Sequence, residues 1–378
     1  MNILHITPAF YPATYWGGPI YSTYGLCNAL AKLGRVKLRV LTTDSCGPRI
    51  YDRLDVEHCP ALYPSGYEVY FCRRILGASI SLGMLGRLAP LVRWADVVHL
   101  TGVYSAPTIP ALIISHFFQK PLVWSPRGAF LNWGQRVKKP LAKSAWGKLC
   151  NALIGTSPCV LHATSNEEVM SCQGRVRNAS ISLIPNGVEV PEELPKKEWL
   201  PNGQIRILYM GRLHPIKGIE RLIEALALLR HESFCLNICG DGHSLYAASL
   251  RNLVRRLDLE ARITFHGHVR DAEKLHAYME SDVCVVPSFS ENFGMVVVEA
   301  LAHGIPVIAS KGTPWAHLTK YGAGFWVDNR PEDLAAAITD IARKDLSVMG
   351  SIGRNWMREQ FQWKSIATRM SDLYCAIA

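Results

Sequence analysis

Two cations, Arg212 and Lys217, stand five residues apart in Met210-Gly211-Arg212-Leu213-His214-Pro215-Ile216-Lys217-Gly218, each beside a glycine. The segment follows an apolar, β-branched run and leads into a helical pattern, so both charges fall at a strand-to-helix turn where a helix N-terminus adds positive potential. A guanidinium with paired donors next to a compact ammonium suits a diphosphate. A second group lies in Pro287-Ser288-Phe289-Ser290-Glu291-Asn292-Phe293-Gly294-Met295-Val296-Val297-Val298-Glu299-Ala300. Glu291 and Glu299 are eight residues apart, about two helical turns. With a helix starting near Phe293, the N–H groups of Phe293 to Val296 can hold a phosphate, and the two carboxylates can take sugar and ribose hydroxyls. Gly17-Gly18, ahead of Pro19 and a helix that stops at Gly34, forms a third anion-compatible turn. The ligand these groups fit is a sugar on a nucleoside diphosphate. No Asp-x-Asp pair occurs in the chain, so Arg212 and Lys217 must neutralise the leaving group without a bridging metal.

Such loops need strands to carry them. Strand patterns run over residues 2–7, 37–42, 68–72, 96–100, 121–125, 159–164 and 180–184, then 204–210, 234–239, 262–266, 282–287, 306–309 and 324–327, with helical patterns between. That alternation predicts an α/β protein with parallel sheets and right-handed crossovers. The chain of 378 residues is long for one core. A Pro/Glu/Lys-rich interval from Pro185 to Gly203 reads as a linker, giving domains 1–185 and 186–355 and a terminal helical segment 356–378.

Composition narrows the class further. Apolar residues make up 49 % and charged residues 19 %, which excludes a disordered chain. No apolar run of about 18 residues exists, so no spanning helix is expected, and the start has no leader-like pattern. Eleven cysteines without a Cys-x-x-Cys pair read as reduced core thiols in a cytoplasmic protein, with no metal site.

The net charge of +10 lies entirely in residues 1–190, which hold 19 Lys+Arg against 9 Asp+Glu, while the remainder balances at 22 of each. No acidic residue occurs between Asp96 and Glu167, where Lys120, Arg127, Arg136, Lys138, Lys139, Lys143 and Lys148 are interleaved with Trp124, Trp133 and Trp146. A basic, aromatic-laced face of this kind meets an anionic membrane surface or a phosphorylated acceptor, or is simply a solvated face. No nucleic-acid motif accompanies it.

In order along the chain, Gly17-Gly18, Pro185-Asn186-Gly187-Val188, Gly211-Arg212-Leu213 with Lys217-Gly218, Gly240-Asp241-Gly242, Glu291 through Glu299 and Pro306-Val307-Ile308-Ala309 resemble family 4 of the retaining glycosyltransferases. The resemblance implies a GT-B fold, two Rossmann-like parallel-sheet domains facing each other across a cleft, the first binding acceptor and the second a UDP- or GDP-linked sugar. It implies hexose transfer with retention to a hydroxyl of a saccharide or lipid-linked saccharide, in surface polysaccharide or lipopolysaccharide synthesis, with no cofactor. It makes Glu291, Arg212 and Lys217 catalytic. Gly17, Gly18, Gly240, His268, Val269, Asn292, Phe293, Gly294, Met295, Val296 and Glu299 join them in binding donor, with Gly267-His268-Val269 against the base. The segment 356–378 returns to the first domain.

Two departures stand out. Many relatives carry Ser-Pro-His-Gly where this chain has Ser125-Pro126-Arg127-Gly128, which makes Arg127 the candidate for a phosphate or acceptor anion. Lys311-Gly312-Thr313-Pro314-Trp315 replaces a usual Gly-Gly-x-Pro-Glu. The expected protein is therefore a cytoplasmic transferase open to peripheral membrane contact. A nucleotide-sugar epimerase of the same architecture and a non-catalytic sugar or anion binder are its rivals.

Overall fold

The computed structural model describes residues 1–57, 59–131, 140–154, 158–176 and 179–378. Of the basic stretch, Trp133, Arg136, Lys138 and Lys139 lie outside the described residues. The chain forms two compact units, one of residues 1–187 with 363–378 and one of residues 188–362.

In the first unit the strands are β1 (Asn2–Ile6), β2 (Lys37–Thr43), β3 (Pro60–Leu62), β4 (Glu68–Cys72), β5 (Val97–Thr101), β6 (Leu122–Ser125), β7 (Cys159–Ala163) and β8 (Ala179–Leu183), in the spatial order β3-β4-β2-β1-β5-β6-β7-β8. All pair parallel except β3, a three-residue antiparallel edge on β4. Side chains alternate across the pleat, so β1 sends Ile3 to one core and Leu4 and Ile6 to the other. Helices Leu82–Trp94, Thr108–Phe117 and Pro140–Ile154 contribute to the core holding Leu4. Helices Gly18–Leu33 and Trp363–Ile377 contribute to the one holding Ile3.

The second unit contains β9 (Ile205–Met210), β10 (Phe234–Cys239), β11 (Ile263–Gly267), β12 (Val283–Val286), β13 (Val307–Ser310) and β14 (Gly324–Val327), in the order β11-β10-β9-β12-β13-β14, all parallel. The winding reverses between β9 and β12, so the loops leaving those two strands flank a switch point, where open α/β sheets hold ligands. In the first unit the same reversal falls between β1 and β5.

Three expectations change. Residues 188–203 are no free linker. The Val188 N–H bonds the Phe361 carbonyl at 2.8 Å, Arg354 Nη2 donates to the Glu192 carbonyl at 2.8 Å, and Lys197 Nζ donates to the Ser281 carbonyl. The terminal segment changes unit at Trp363, not Trp356. Trp356 belongs to helix Leu346–Gln360, is 6 % exposed and stacks on Tyr321 at 4.3 Å within the second unit. The Trp363 ring fills the space a Cβ would need at Gly25 and Gly187, 2.2 and 2.4 Å away, and so fixes the last helix on the first unit. Finally, the described residues of the basic stretch do not make one face. Trp124 is wholly buried in the core with its Nε1–H on the Gly102 carbonyl, Trp146 bonds the Val103 carbonyl, and the Arg127 guanidinium is buried.

Candidate functional site

Glycine decides how closely the loops of the second unit approach one another. Gly240, after β10, has φ +145° and a Cβ there would sit 1.9 Å from the Gly211 carbonyl oxygen; its N–H bonds the Gly267 carbonyl at 2.6 Å. Gly218 has φ +62° and the Pro287 carbonyl 2.2 Å from where a Cβ would be. These contacts stitch the Arg212–Lys217 turn to its two neighbours. The Phe289 N–H reaching the Ile216 carbonyl at 2.8 Å and the Leu213 N–H reaching the Asp241 carbonyl at 2.9 Å complete the seam.

Across that seam Lys217 Nζ forms an ion pair with Glu291 Oε2, both side chains about one-fifth exposed, and the Ser288 hydroxyl donates to the same carboxylate at 3.4 Å. Arg212 is exposed, and among the described residues its guanidinium has no hydrogen-bond or ion-pair partner. Its backbone is fixed from below by Tyr209, 2 % exposed, whose hydroxyl donates to the Arg212 carbonyl at 3.0 Å. Burial first, then the Glu291 charge, lifts the Tyr209 phenol well above its ordinary range, so it stays a neutral donor.

The helix after Glu291 starts at Met295, not near Phe293, because Gly294 takes φ +82° and caps it, accepting the Val297 N–H at 2.9 Å. The amides of Gly294, Met295 and Val296 are its leading N–H groups, and that of Phe293 falls one residue before the cap. Phe293 is buried against Trp315, edge to face at 5.4 Å, and the Trp315 Nε1–H bonds the Phe293 carbonyl. Asn292, Met295 and Val296 are half-buried in the same turn.

Glu299 has its own partners. Its carboxylate accepts from Lys274 Nζ at 2.7 Å and from the Tyr278 hydroxyl at 3.1 Å. Residue spacing alone does not announce this pair, although Lys274 and Tyr278, four apart on helix Asp271–Met279, share a face. His268 is exposed and Val269 half-buried beyond β11. In the second unit the structure thus joins Lys217 to Glu291 and brings the Gly211, Gly240 and Gly267 turns together, while Glu299 forms a separate cluster.

Two expected groups lie in the first unit. Gly17 has φ +74°, which favours glycine, and ends the turn Thr14–Trp16 before helix Gly18–Leu33, with Pro19 in its first turn. Arg127 follows β6 with φ +54°; its Nη1 donates to Asn186 Oδ1 at 2.5 Å.

The model of the family described as glycosyl transferases group 1 matches residues 190–356. That stretch is a member of the family. The chain is 31 % identical over 207 residues to D-inositol 3-phosphate glycosyltransferase of Corynebacterium efficiens, an alignment covering 52 % of this chain and 49 % of that one. The chain therefore spans about half the length of the curated relatives it first matches. Among solved structures, Anabaena Alr3699/HepE in complex with UDP-glucose aligns over all of both chains with a TM-score of 0.76 and 19 % identity. WaaG, a glycosyltransferase involved in lipopolysaccharide biosynthesis, aligns over 98 % of this chain and 99 % of its own with a TM-score of 0.67 and 18 % identity. Two parallel-sheet α/β units of this kind are the GT-B fold. The group 1 unit is thus the one that carries Arg212, Lys217, Glu291 and Glu299.

Proposed function

We propose that this protein is a glycosyltransferase of family 4 that moves a hexose from a UDP- or GDP-linked donor to a hydroxyl of a saccharide or lipid-linked saccharide, with retention at the anomeric carbon and without a metal. The observation that carries the reading is the Lys217–Glu291 pair beside Arg212, on loops flanking the switch point of the group 1 unit. An ammonium has three donors, so Lys217 can keep Glu291 and still meet a diphosphate. Arg212 adds a paired-donor face, and together they stabilise the charge that grows on the leaving phosphate. Glu291 positions the sugar, Glu299 takes ribose hydroxyls, and the amides of Phe293 to Val296 face sugar and phosphate, with Asn292, Gly294, Gly240, His268 and Val269 completing the donor site. Gly17 and Gly18 close on the diphosphate. Front-face attack fits this set: the acceptor hydroxyl gives its proton to the departing phosphate oxygen as the new glycosidic bond forms. Among the described residues no three His, Cys, Asp or Glu side chains come together as a cation seat. The product belongs, on this reading, to lipopolysaccharide or surface polysaccharide synthesis, and the fold shared with WaaG, a glycosyltransferase involved in lipopolysaccharide biosynthesis, supports it.

UDP or GDP is expected to raise the melting temperature saturably by several degrees, since a ligand at a hundred times its Kd adds about 2.7 kcal/mol. If neither does so with folded protein, the donor assignment fails. Donor incubated alone and returned as an epimer would favour the rival isomerase.

The acceptor reading includes peripheral contact with an anionic membrane, the site of action being the inner face. Among the described residues no helix is long and apolar enough to cross a bilayer. Past the end of β4, however, Ile75, Leu76, Ile80, Leu82 and Leu85 are exposed, Leu76 by 60 % and Leu82 by 67 %. No acidic residue occurs between Glu68 and Asp96, where Arg73 and Arg93 are exposed and Arg87 is half-buried. Aliphatic side chains among arginines suit an anionic lipid surface. Co-sedimentation with phosphatidylglycerol vesicles should exceed that with phosphatidylcholine, and Leu76→Ser with Leu82→Ser should weaken it by roughly tenfold. Equal binding to both lipids, or no loss in the double variant, removes this contact.

A further inference from the structure

Arg127 has one bonded and one open edge. Nη1 is held by Asn186, while Nε and Nη2 are buried and have no acceptor among the described residues. Nε and Nη2 are the two nitrogens whose N–H bonds run side by side, the fork that takes both oxygens of a carboxylate or phosphate. Elsewhere this chain uses that fork on carboxylates. Arg206 sets Nε and Nη2 on the two oxygens of Asp282 at 3.0 and 2.9 Å, and Arg330 sets them on Asp333 at 2.5 and 3.1 Å.

Among the described residues no neighbour closes the Arg127 fork. Glu168, wholly buried, is in its field, but its oxygens take the Gly128 N–H at 2.6 Å and the Thr164 N–H and hydroxyl, each at 2.8 Å. The other titratable groups near it are His5, His99, His162, Cys27 and Tyr374, all buried. Desolvation drives His5 and His162 down to about 3 and His99 well below its usual value, and lifts Cys27 and Tyr374, so each is neutral at pH 7. Hydrogen bonds engage the histidines: His99 lies between Tyr374 at 2.6 Å and Ser125 at 2.7 Å, and His162 between Ser125 at 2.7 Å and the Ile184 carbonyl at 2.8 Å. A buried guanidinium with its strongest binding edge unmatched is costly unless an anion completes it.

We propose that the Nε/Nη2 fork of Arg127 is a binding site for the oxyanion of an acceptor, a phosphate or carboxylate carried on the sugar. The proposal rests on the reading of the first unit as the acceptor-binding one. It narrows the acceptor from any saccharide to one with a negative charge near the hydroxyl that reacts.

The test is thermal melting of the whole chain in sodium chloride and in inorganic phosphate at matched ionic strength, for wild type, Arg127→Gln, Arg127→Lys and Arg212→Ala. Phosphate should raise the melting temperature of wild type and of Arg212→Ala by several degrees, leave Arg127→Gln unmoved and shift Arg127→Lys only slightly. Glucose 6-phosphate or glucuronate should act at tenfold lower concentration than inorganic phosphate, with glucose inert. Equal potency of the free ion would overturn the acceptor assignment, and an equal phosphate shift in Arg127→Gln would overturn the site. Because the UDP and GDP shifts read the second unit, failure here and failure of the donor reading are separable.

Discussion

Arg212→Ala and Lys217→Ala are each expected to lower kcat by about 10²–10³-fold, the loss that follows removal of one preorganised donor from a developing anion. The two variants should differ in everything else. Arg212 is exposed and without a side-chain partner among the described residues, so its removal should leave the unfolding free energy within about 0.5 kcal/mol of wild type. Its effect should fall on kcat and on the nucleoside diphosphate shift alike. Lys217 also neutralises Glu291, and both side chains are mostly covered. Lys217→Ala leaves that carboxylate without its cation, at a cost of about 1–3 kcal/mol, so a fall in stability should accompany the fall in turnover. Lys217→Ala with Glu291→Gln should recover the stability and none of the rate. Steady-state transfer and melting on the same preparations separate these effects, and near-normal transfer by both single variants would refute the assigned role.

The parallel α/β pattern was legible because its signals are local: apolar β-branched runs such as those of β9 and β12 bounded by glycine and proline. β3 was not legible, since Pro60-Ala61-Leu62 has three residues, opens on proline and is defined only by its antiparallel partner β4. The loops that carry Gly17, Arg212 with Lys217, and Glu291 were also readable, as strand ends in a parallel sheet. What composition misread was long-range. Residues 188–203 have a linker's polarity, yet their partners are Phe361, Arg354, Ser281 and Asp282, far away in sequence, from 82 positions for Leu200 and Asp282 to 173 for Val188 and Phe361. Arg127 counts as surface charge in a composition, whereas the turn after β6 directs it inward to Asn186. Glu299 was found by its spacing from Glu291, but its cation and hydroxyl partners, Lys274 and Tyr278, come from another helix.

The largest stability effect is expected at Asp282, which no chemical role recommends. It lies just before β12, is wholly buried, and its carboxylate accepts from the Arg206 N–H at 2.9 Å, from Arg206 Nε and Nη2, and from the Leu200 N–H at 3.4 Å. The Asp282 N–H in turn bonds the Arg206 carbonyl at 2.7 Å. Arg206 belongs to β9, so this cluster pins together the two strands whose loops carry Arg212, Lys217 and Glu291. Asp282→Ala takes the paired carboxylate from the Arg206 guanidinium, 15 % exposed, leaving it only Glu280 and the Glu198 carbonyl, and leaves two backbone N–H groups unmatched; breaking a buried pair from one side costs about 3–5 kcal/mol. Against a typical stability of about 5–15 kcal/mol, that is enough to bring the group 1 unit close to unfolding at physiological temperature. Urea unfolding followed by fluorescence should become biphasic, with an early transition that UDP or GDP delays and a later one at the wild-type midpoint, because the first unit has its own cores. Asp282→Asn keeps one acceptor oxygen for Arg206 and should recover part of the loss. A shift below about 1 kcal/mol in Asp282→Ala would mean that packing of β9 on β12, not this ion pair, holds the switch point together.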